Sequence, residues 1–488
     1  MNFAPDDTKA SGFVRPRLRK ESVMPFPPAP RCPGPQSRRS FLEIGSLGLA
    51  GLGFADLLQL QSQAQAAKTD SDAPAVIFVW LPGGAPHLDM YDMKPDAPSE
   101  IRSEFRPIGT NVPGLDVCEL MPRHAQLADK YTIIRSIAHK FADHGGGHKR
   151  FLTGRDPLQP TGFVNDYPMI GSCVSKLLEK RNVGLPNYIC GCDDGRTQVD
   201  TFSFGSAYLS PATYPFVFGG DPSSAKFKVQ NLAVMEEIAG RLDQRESLLR
   251  GLDQLRRNVD RSGAMDAMDK FSRQAVELVT SEKARQAFDL SREDTATREK
   301  YGQHRWGQRA LLARRLVEAG ASFVTVVMEN PVSEGEQMPS DVVYNWDSHA
   351  VNCHIWTDLK WRLPRYDQAI MALVDDLYQR GLDKKVLLVV TGEFGRTPRL
   401  ESWNGRPGRD HWPSAMSLLV SGGGAQMGQI IGSTNPKGEE PKDRPMTPND
   451  LWATVLKHLG IDPNHNFLDH QGRPLPILPF GTAIKELA

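Results

Sequence analysis

Short, mostly apolar runs recur along the chain, and each is followed by glycines and polar residues. Ala75 to Leu81 is the first and closes in Pro82-Gly83-Gly84; Tyr131 to Ile137, Ala321 to Met328, Val386 to Val390 and Met416 to Val420 repeat the form. Runs of this length, rich in Val, Ile and Leu and without polar alternation, predict strands covered on both faces. Between them the apolar spacing becomes that of helices, at Ile170 to Glu179, Leu359 to Arg380 and Pro448 to Leu459, with Gly381 closing the second. Strands alternating with helices predict an α/β fold with a mostly parallel central sheet and helices on both faces.

Two stretches depart from this rhythm. Residues 185–228 are rich in Pro, Gly and aromatics and read as an irregular excursion. In residues 229–319, Leu232, Met235, Ile238 and Leu242 fall at helical spacing amid dense charge, which predicts a helical insert with a solvated face.

The amino terminus reads as an address. Ser37-Arg38-Arg39-Ser40-Phe41-Leu42 fits a twin-arginine export pattern, and Ala64-Gln65-Ala66 fits a small-x-small cleavage site. The weakly apolar run between them, Ile44 to Leu60, is interrupted by Asp56 and is too short to span a bilayer comfortably. Residues 1–66 are therefore expected to be a disordered leader and signal, and residues 67–488 a single domain. The expected destination is periplasmic or extracellular, with the twin-arginine translocon as a transient partner and no stable membrane span. The 58 basic and 58 acidic residues cancel, which gives no reason to expect nucleic acid as a partner. None of the six cysteines has zinc-finger spacing.

Four polar clusters follow predicted strands. They are Gly83 to Asp89 with His87 and Asp89; His139 to Arg155 with His144 and His148; Trp346-Asp347-Ser348-His349; and Glu393 with Arg396, Arg409, Asp410 and His411. Ligands of open α/β sheets bind beyond the carboxyl ends of the strands, so these clusters are candidates for one shared pocket. Imidazoles mixed with carboxylates suit zinc or another divalent metal. Bland alternatives stand beside each cluster: His144 and His148 could share a helix face for packing, and Glu393 could brace a loop by pairing with Arg396 or Arg409.

The residues Trp346 to His349, Thr391 to Pro398, Gly408 to Pro413, Ser421 to Gly424 and Gly472-Arg473-Pro474 resemble the family catalogued as domain of unknown function 1501. The resemblance runs from about Pro74 to Leu487. That family is placed with the sulfatases and alkaline phosphatases, which implies a three-layer α/β/α fold and hydrolysis of sulfate or phosphate esters with a divalent metal. It implies zinc first, with manganese or calcium as alternatives, held by Asp347, His349, His411 and Glu393, with His87 and Asp89 as possible additions.

Carried over on the same resemblance, Glu393 is a fourth ligand or general base, and Arg396 and Arg409 grip the anionic group. His144 or His148 protonates the leaving group or acts as nucleophile, and a sulfated polysaccharide is one substrate of the kind. Two positions depart from the pattern. Pro82-Gly83-Gly84 stands where sulfatases carry an acid pair, and counting nine residues back from Thr153-Gly154 gives His144 where they carry the nucleophile. These departures leave a second expectation open, a non-catalytic binding or surface-assembly protein on a fold that has lost its nucleophile.

Overall fold

The computed structural model describes residues 73–179, 181, 185–193, 203–229 and 281–487. The expected leader and signal, and residues 230–280 of the expected helical insert, lie outside the described residues. The described residues belong to one compact unit, Lys68–Ala488.

Its centre is an eight-stranded sheet built from β1 (Ala75–Trp80), β2 (Thr132–Ile137), β3 (Tyr188–Gly191), β4 (Phe216–Phe218), β5 (Phe323–Val327), β6 (Val386–Thr391), β7 (Met416–Gly422) and β8 (Gln429–Ile431). The strand order is β8-β2-β7-β6-β1-β5-β3-β4. Every pairing is parallel except those of β7, which runs antiparallel to both β2 and β6.

Side chains alternate across a strand, so β1 feeds two cores. Val76, Phe78 and Trp80 pack with helices α1 (His144–Thr153), α2 (Ile170–Leu177) and α5 (Pro448–His458). Ala75, Ile77 and Val79 pack on the other face with α3 (Arg305–Glu318) and α4 (Ile355–Gln379). The result is the expected three-layer α/β/α arrangement. Trp452 of α5 ties the first layer together: it packs on Phe78 and Phe323, and its ring N–H donates to the Phe151 carbonyl of α1 at 2.6 Å.

Three expectations change. The stretch 185–228 is not wholly irregular, since β3 and β4 extend the main sheet in parallel register from it. The expected insert does not reach residue 319 as an insert. Its last helix, α3, buries Trp306, Leu311 and Leu316 against the sheet and forms part of one layer. Helix α4 starts four residues before the expected Leu359, at Ile355, because the His354 side chain caps it by accepting from Thr357 N at 3.4 Å. The helix continues through Pro364. Cys118, Cys173, Cys190, Cys192 and Cys353 are all buried free thiols.

Helix α3 is capped in the same way, with His304 Nδ1 accepting from Gly307 N at 3.2 Å. That role needs a neutral ring. Burial, reinforced by the nearby Arg365 guanidinium, pushes the His304 pKa down from 6.5 to about 4. The unfolded chain therefore takes up a proton before the folded one does. The stability this contributes is complete above pH 6.5 and is lost as pH falls toward 4. His304→Asn keeps a capping side chain without the titration, so urea denaturation between pH 7 and 4 should show a shallower loss, by on the order of 1 kcal/mol.

Candidate metal centre

Strands β1 and β6 end side by side, with Trp80 opposite Thr391. Beyond them the chain turns where no side chain fits. A Cβ on Gly392 would meet the Leu81 carbonyl at 2.5 Å, and one on Gly83, at φ +107, would meet Asp347 N at 2.6 Å. Glu393 is thereby delivered fully buried beneath the strand ends, where Gly83 N donates to its Oε1 at 2.8 Å. In place of an acid pair, this loop offers a backbone N–H to an acid from the next strand.

Helix α1 opens at the same place. Asp143 caps it by accepting from Gly145 N and Gly146 N at 2.9 and 3.3 Å. His144 and His148 are one turn apart and share a face. Both rings reach Glu393 Oε1, from His144 Nδ1 at 2.8 Å and from His148 Nε2 at 3.3 Å. Gly147 is small because a Cβ there would meet the Phe394 ring at 2.9 Å.

A second group lies beyond His144. Asp347 Oδ1 is 3.3 Å from His144 Nε2, 2.9 Å from His349 Nε2, 3.1 Å from His411 Nε2 and 2.7 Å from Arg396 Nη2. His411 comes from a two-residue strand, His411–Trp412, paired antiparallel with Gly395–Arg396. His144 thus bridges two acidic clusters, Glu393 with His148 on one side and Asp347 with His349 and His411 on the other.

Protonation follows from this crowding. Burial alone would raise the Glu393 pKa, but His148 and His144 outweigh it and hold the carboxyl well below the usual range. Asp347 behaves alike: burial opposes ionisation, and His144, His349, His411 and Arg396 overcome it. Burial would lower the His144 pKa, yet the two carboxylates raise it from 6.5 to about 10.

The second cluster carries the stronger signal for a cation. His411 Nδ1 lies 2.7 Å from the Ala142 carbonyl, which can only accept, so the hydrogen sits on Nδ1 and the neutral ring bares a lone pair at Nε2. His349 Nδ1 faces Asp410 Oδ1 at 3.3 Å, which fixes its ring in the same sense. The two Nε2 atoms are 2.9 Å apart, and both face Asp347 Oδ1. Three lone pairs converging on one point are satisfied by a positive charge between them, and this donor set suits a divalent metal. Other candidate metal-holding groups are His144, His148 and Glu393; His144, Asp347 and His411; and His349, Asp410 and His411. Glu393 Oε2 and His148 Nδ1 are buried without a hydrogen-bond partner.

Placement corrects several expectations. Glu393 joins His144 and His148 and not the His349–His411 pair. Arg396 and Arg409 do not face an open anion site: both are fully buried and bonded to protein oxygens. Arg396 donates to Gly84 O at 3.0 Å, Arg409 O at 3.2 Å, Gly83 O and Asp347. Arg409 clasps Asp89 at 2.8 and 3.2 Å and donates to Ile101 O at 2.8 Å, Thr397 O at 3.0 Å and Pro398 O. Asp89 is accordingly spent on Arg409. His87 is buried against the Gly438 carbonyl, 3.0 Å from Nε2.

Sequence reasoning assigned no role to Asp410, which orients His349, or to His139, whose Nε2 donates to the Glu393 carbonyl at 2.6 Å. Their place beside the cluster residues was visible; their orienting roles were not.

The family model described as "Protein of unknown function (DUF1501)" matches residues 73–488. No curated protein matches the sequence. Solved structures similar to the chain include the PsFucS1 sulfatase from Pseudoalteromonas sp., 11% identical, with 88% of this chain and 75% of that chain covered and a TM-score of 0.35. The phosphonate monoester hydrolase of Agrobacterium radiobacter is 13% identical, with 85% and 77% covered and a TM-score of 0.35. The alkaline phosphatase from the Antarctic bacterium TAB5 is 12% identical, with 80% and 99% covered and a TM-score of 0.33.

If Arg409 braces the loops, removing it strands a buried carboxylate. Arg409→Ala should lower stability by about 3–5 kcal/mol in urea denaturation. The double variant Asp89→Leu/Arg409→Met should recover most of that loss.

Proposed function

The chain belongs to the DUF1501 family, and from the centre described above we propose that it is a metal-dependent hydrolase of phosphate or sulfate esters. The observation that carries the reading is the convergence of His349 Nε2, His411 Nε2 and Asp347 Oδ1 within 2.9–3.1 Å of one another. Asp347, His349 and His411 would hold the ion. Two imidazoles favour zinc or manganese over calcium, which prefers oxygen ligands. When bound, the ion supplies the charge that polarises the ester oxygens.

The chain's own residues supply the proton traffic. Water forms the new bond to phosphorus or sulfur as the bond to the ester oxygen breaks. That oxygen takes a proton from His144, and the ring recovers one from the attacking water. Glu393, 2.8 Å from His144 Nδ1, holds the proton on that nitrogen throughout and favours the cationic ring from which the transfer starts and to which it returns. It is buried beneath the rings, which fits a holding role better than that of a base acting on solvent. Arg396 and Arg409 are occupied elsewhere, so the anion's charge is met by the ion and by protonated His144.

On the same reading, the pattern Ser37 to Leu42 exports the protein to the periplasm or beyond. Among the described residues no helix is long and apolar enough to cross a membrane.

The test is metal content by mass spectrometry beside hydrolysis of aryl phosphate and aryl sulfate. The wild-type chain should carry near-stoichiometric metal. Asp347→Asn and His411→Ala should lose it, with affinity falling at least about 10–100-fold and turnover with it. His144→Ala should keep the metal and lose about 10²–10⁴-fold in turnover. Stoichiometric metal without turnover of any ester would favour the non-catalytic binding protein, and absence of metal would sink the mechanism.

A further inference from the structure

Asp347 is the acid that both imidazoles of the candidate ion site face, and its two oxygens are used differently. Oδ1 lies 2.9 Å from His349 Nε2 and 3.1 Å from His411 Nε2. Oδ2 instead accepts from the amide of Asn352, whose Nδ2 is 3.1 Å away. The same Nδ2 donates to the main-chain carbonyl of Asp347, also at 3.1 Å. A carbonyl and an ionised carboxylate only accept, so the NH2 end of the Asn352 amide has to be the end that faces them.

The two bonds act as a clamp. The torsion that turns a carboxylate about its own bond joins sp³ to sp² carbon, and its preferences are broad. One amide held against both the carboxylate and the same residue's carbonyl restricts that torsion. Asn352 is placed to do so by its main chain, whose N–H donates to His349 O at 2.9 Å, the carbonyl that Cys353 N also reaches at 3.1 Å. From the other side, Asp347 N donates to Asn345 Oδ1 at 3.0 Å, and Arg396 Nη2 holds Oδ1 at 2.7 Å. Asn352 itself is exposed, so core packing gives no other reason for its amide to be spent here.

Cations differ in what they ask of a carboxylate. Calcium gathers about six to eight oxygens and often takes both from one carboxylate. Zinc takes about four ligands, nitrogen among them, and keeps one position open where it is catalytic. With Oδ2 committed to Asn352, Asp347 offers Oδ1, which together with the two Nε2 atoms makes a donor set of the second kind.

We infer that Asn352 is a positioning residue that fixes the rotation of the Asp347 carboxylate, keeps Oδ2 off the ion and so selects zinc over calcium. The inference rests on the ion site of the hydrolase reading above, and it deepens that reading by naming what sets the choice of metal.

The test is competition calorimetry on the full chain with zinc alone and calcium alone. The wild-type protein should bind zinc more tightly. Asn352→Leu keeps the approximate shape of an exposed side chain and removes the donor. It should lose about tenfold or more in zinc affinity while calcium affinity holds or rises, so the zinc-to-calcium ratio narrows. Asn352→Gln keeps a donor and should move the ratio back toward the wild-type value.

An unchanged ratio in the Leu variant, whether both affinities hold or fall together, would overturn the inference, as would a Gln variant no better than Leu. Ester turnover is scored apart. A shifted ratio in a chain that cleaves no ester removes the hydrolase and keeps the clamp; turnover with an unchanged ratio removes the clamp and keeps the hydrolase. A wild-type chain that binds neither metal overturns both.

Discussion

Two ionised carboxylates, Glu393 and Asp347, stand at the carboxyl ends of the sheet, one fully buried and the other largely so, and the surrounding structure keeps them charged. A buried charge is tolerated when donors surround it, and it is costly otherwise. Here the donors come from three separate stretches, Gly83 N, the His144–His148 face of α1 and Arg396, and the His349 and His411 rings close round Asp347 from two more. The close turns at Gly83 and Gly392 bring these stretches together, so the glycine requirement at the strand ends and the acid–imidazole chemistry are one constraint.

The arginines show why residue type alone misleads. Near a candidate anion site, a guanidinium reads as a phosphate or sulfate fork. The same planar set of donors also suits collecting backbone carbonyls from several loops, and Arg396 and Arg409 both do this. Arg396 touches the centre through Asp347 only, and Arg409 not at all, since its carboxylate partner is Asp89. Their work is to fix the loops that place the imidazoles, and the positive charge that meets a substrate anion has to come from elsewhere in the centre.

The sheet was legible wherever an apolar run was long enough to announce itself. Strands β1, β2, β5, β6 and β7 were each anticipated to within two residues at either end. The strands β3 and β4 were missed because Tyr188–Gly191 and Phe216–Phe218 are too short to stand out from a Pro- and Gly-rich background, and register with neighbouring strands stabilises them more than their own pattern does. For the centre, the spacing of His144 and His148 was visible, as was the Glu393 loop. Their union was not, because 249 residues separate His144 from Glu393 and only the packing of α1 against the loop after β6 joins them. Which acid goes with which imidazole is a property of the fold and leaves no trace in local sequence.

On the hydrolase reading, that union separates the two roles open to His144. The residue stands where the sulfatase pattern would put a nucleophile, and a nucleophilic imidazole needs a bare lone pair. Here each ring nitrogen faces a carboxylate, Nδ1 toward Glu393 at 2.8 Å and Nε2 toward Asp347 at 3.3 Å. Both carboxylates raise the ring's pKa, and with each nitrogen turned to an acid neither presents a free lone pair for attack. The same arrangement suits an acid, because the proton on Nε2 can be given up while Glu393 stabilises the one on Nδ1. Without a hydroxyl, thiol or free imidazole in this position, the attacking group on the hydrolase reading is water.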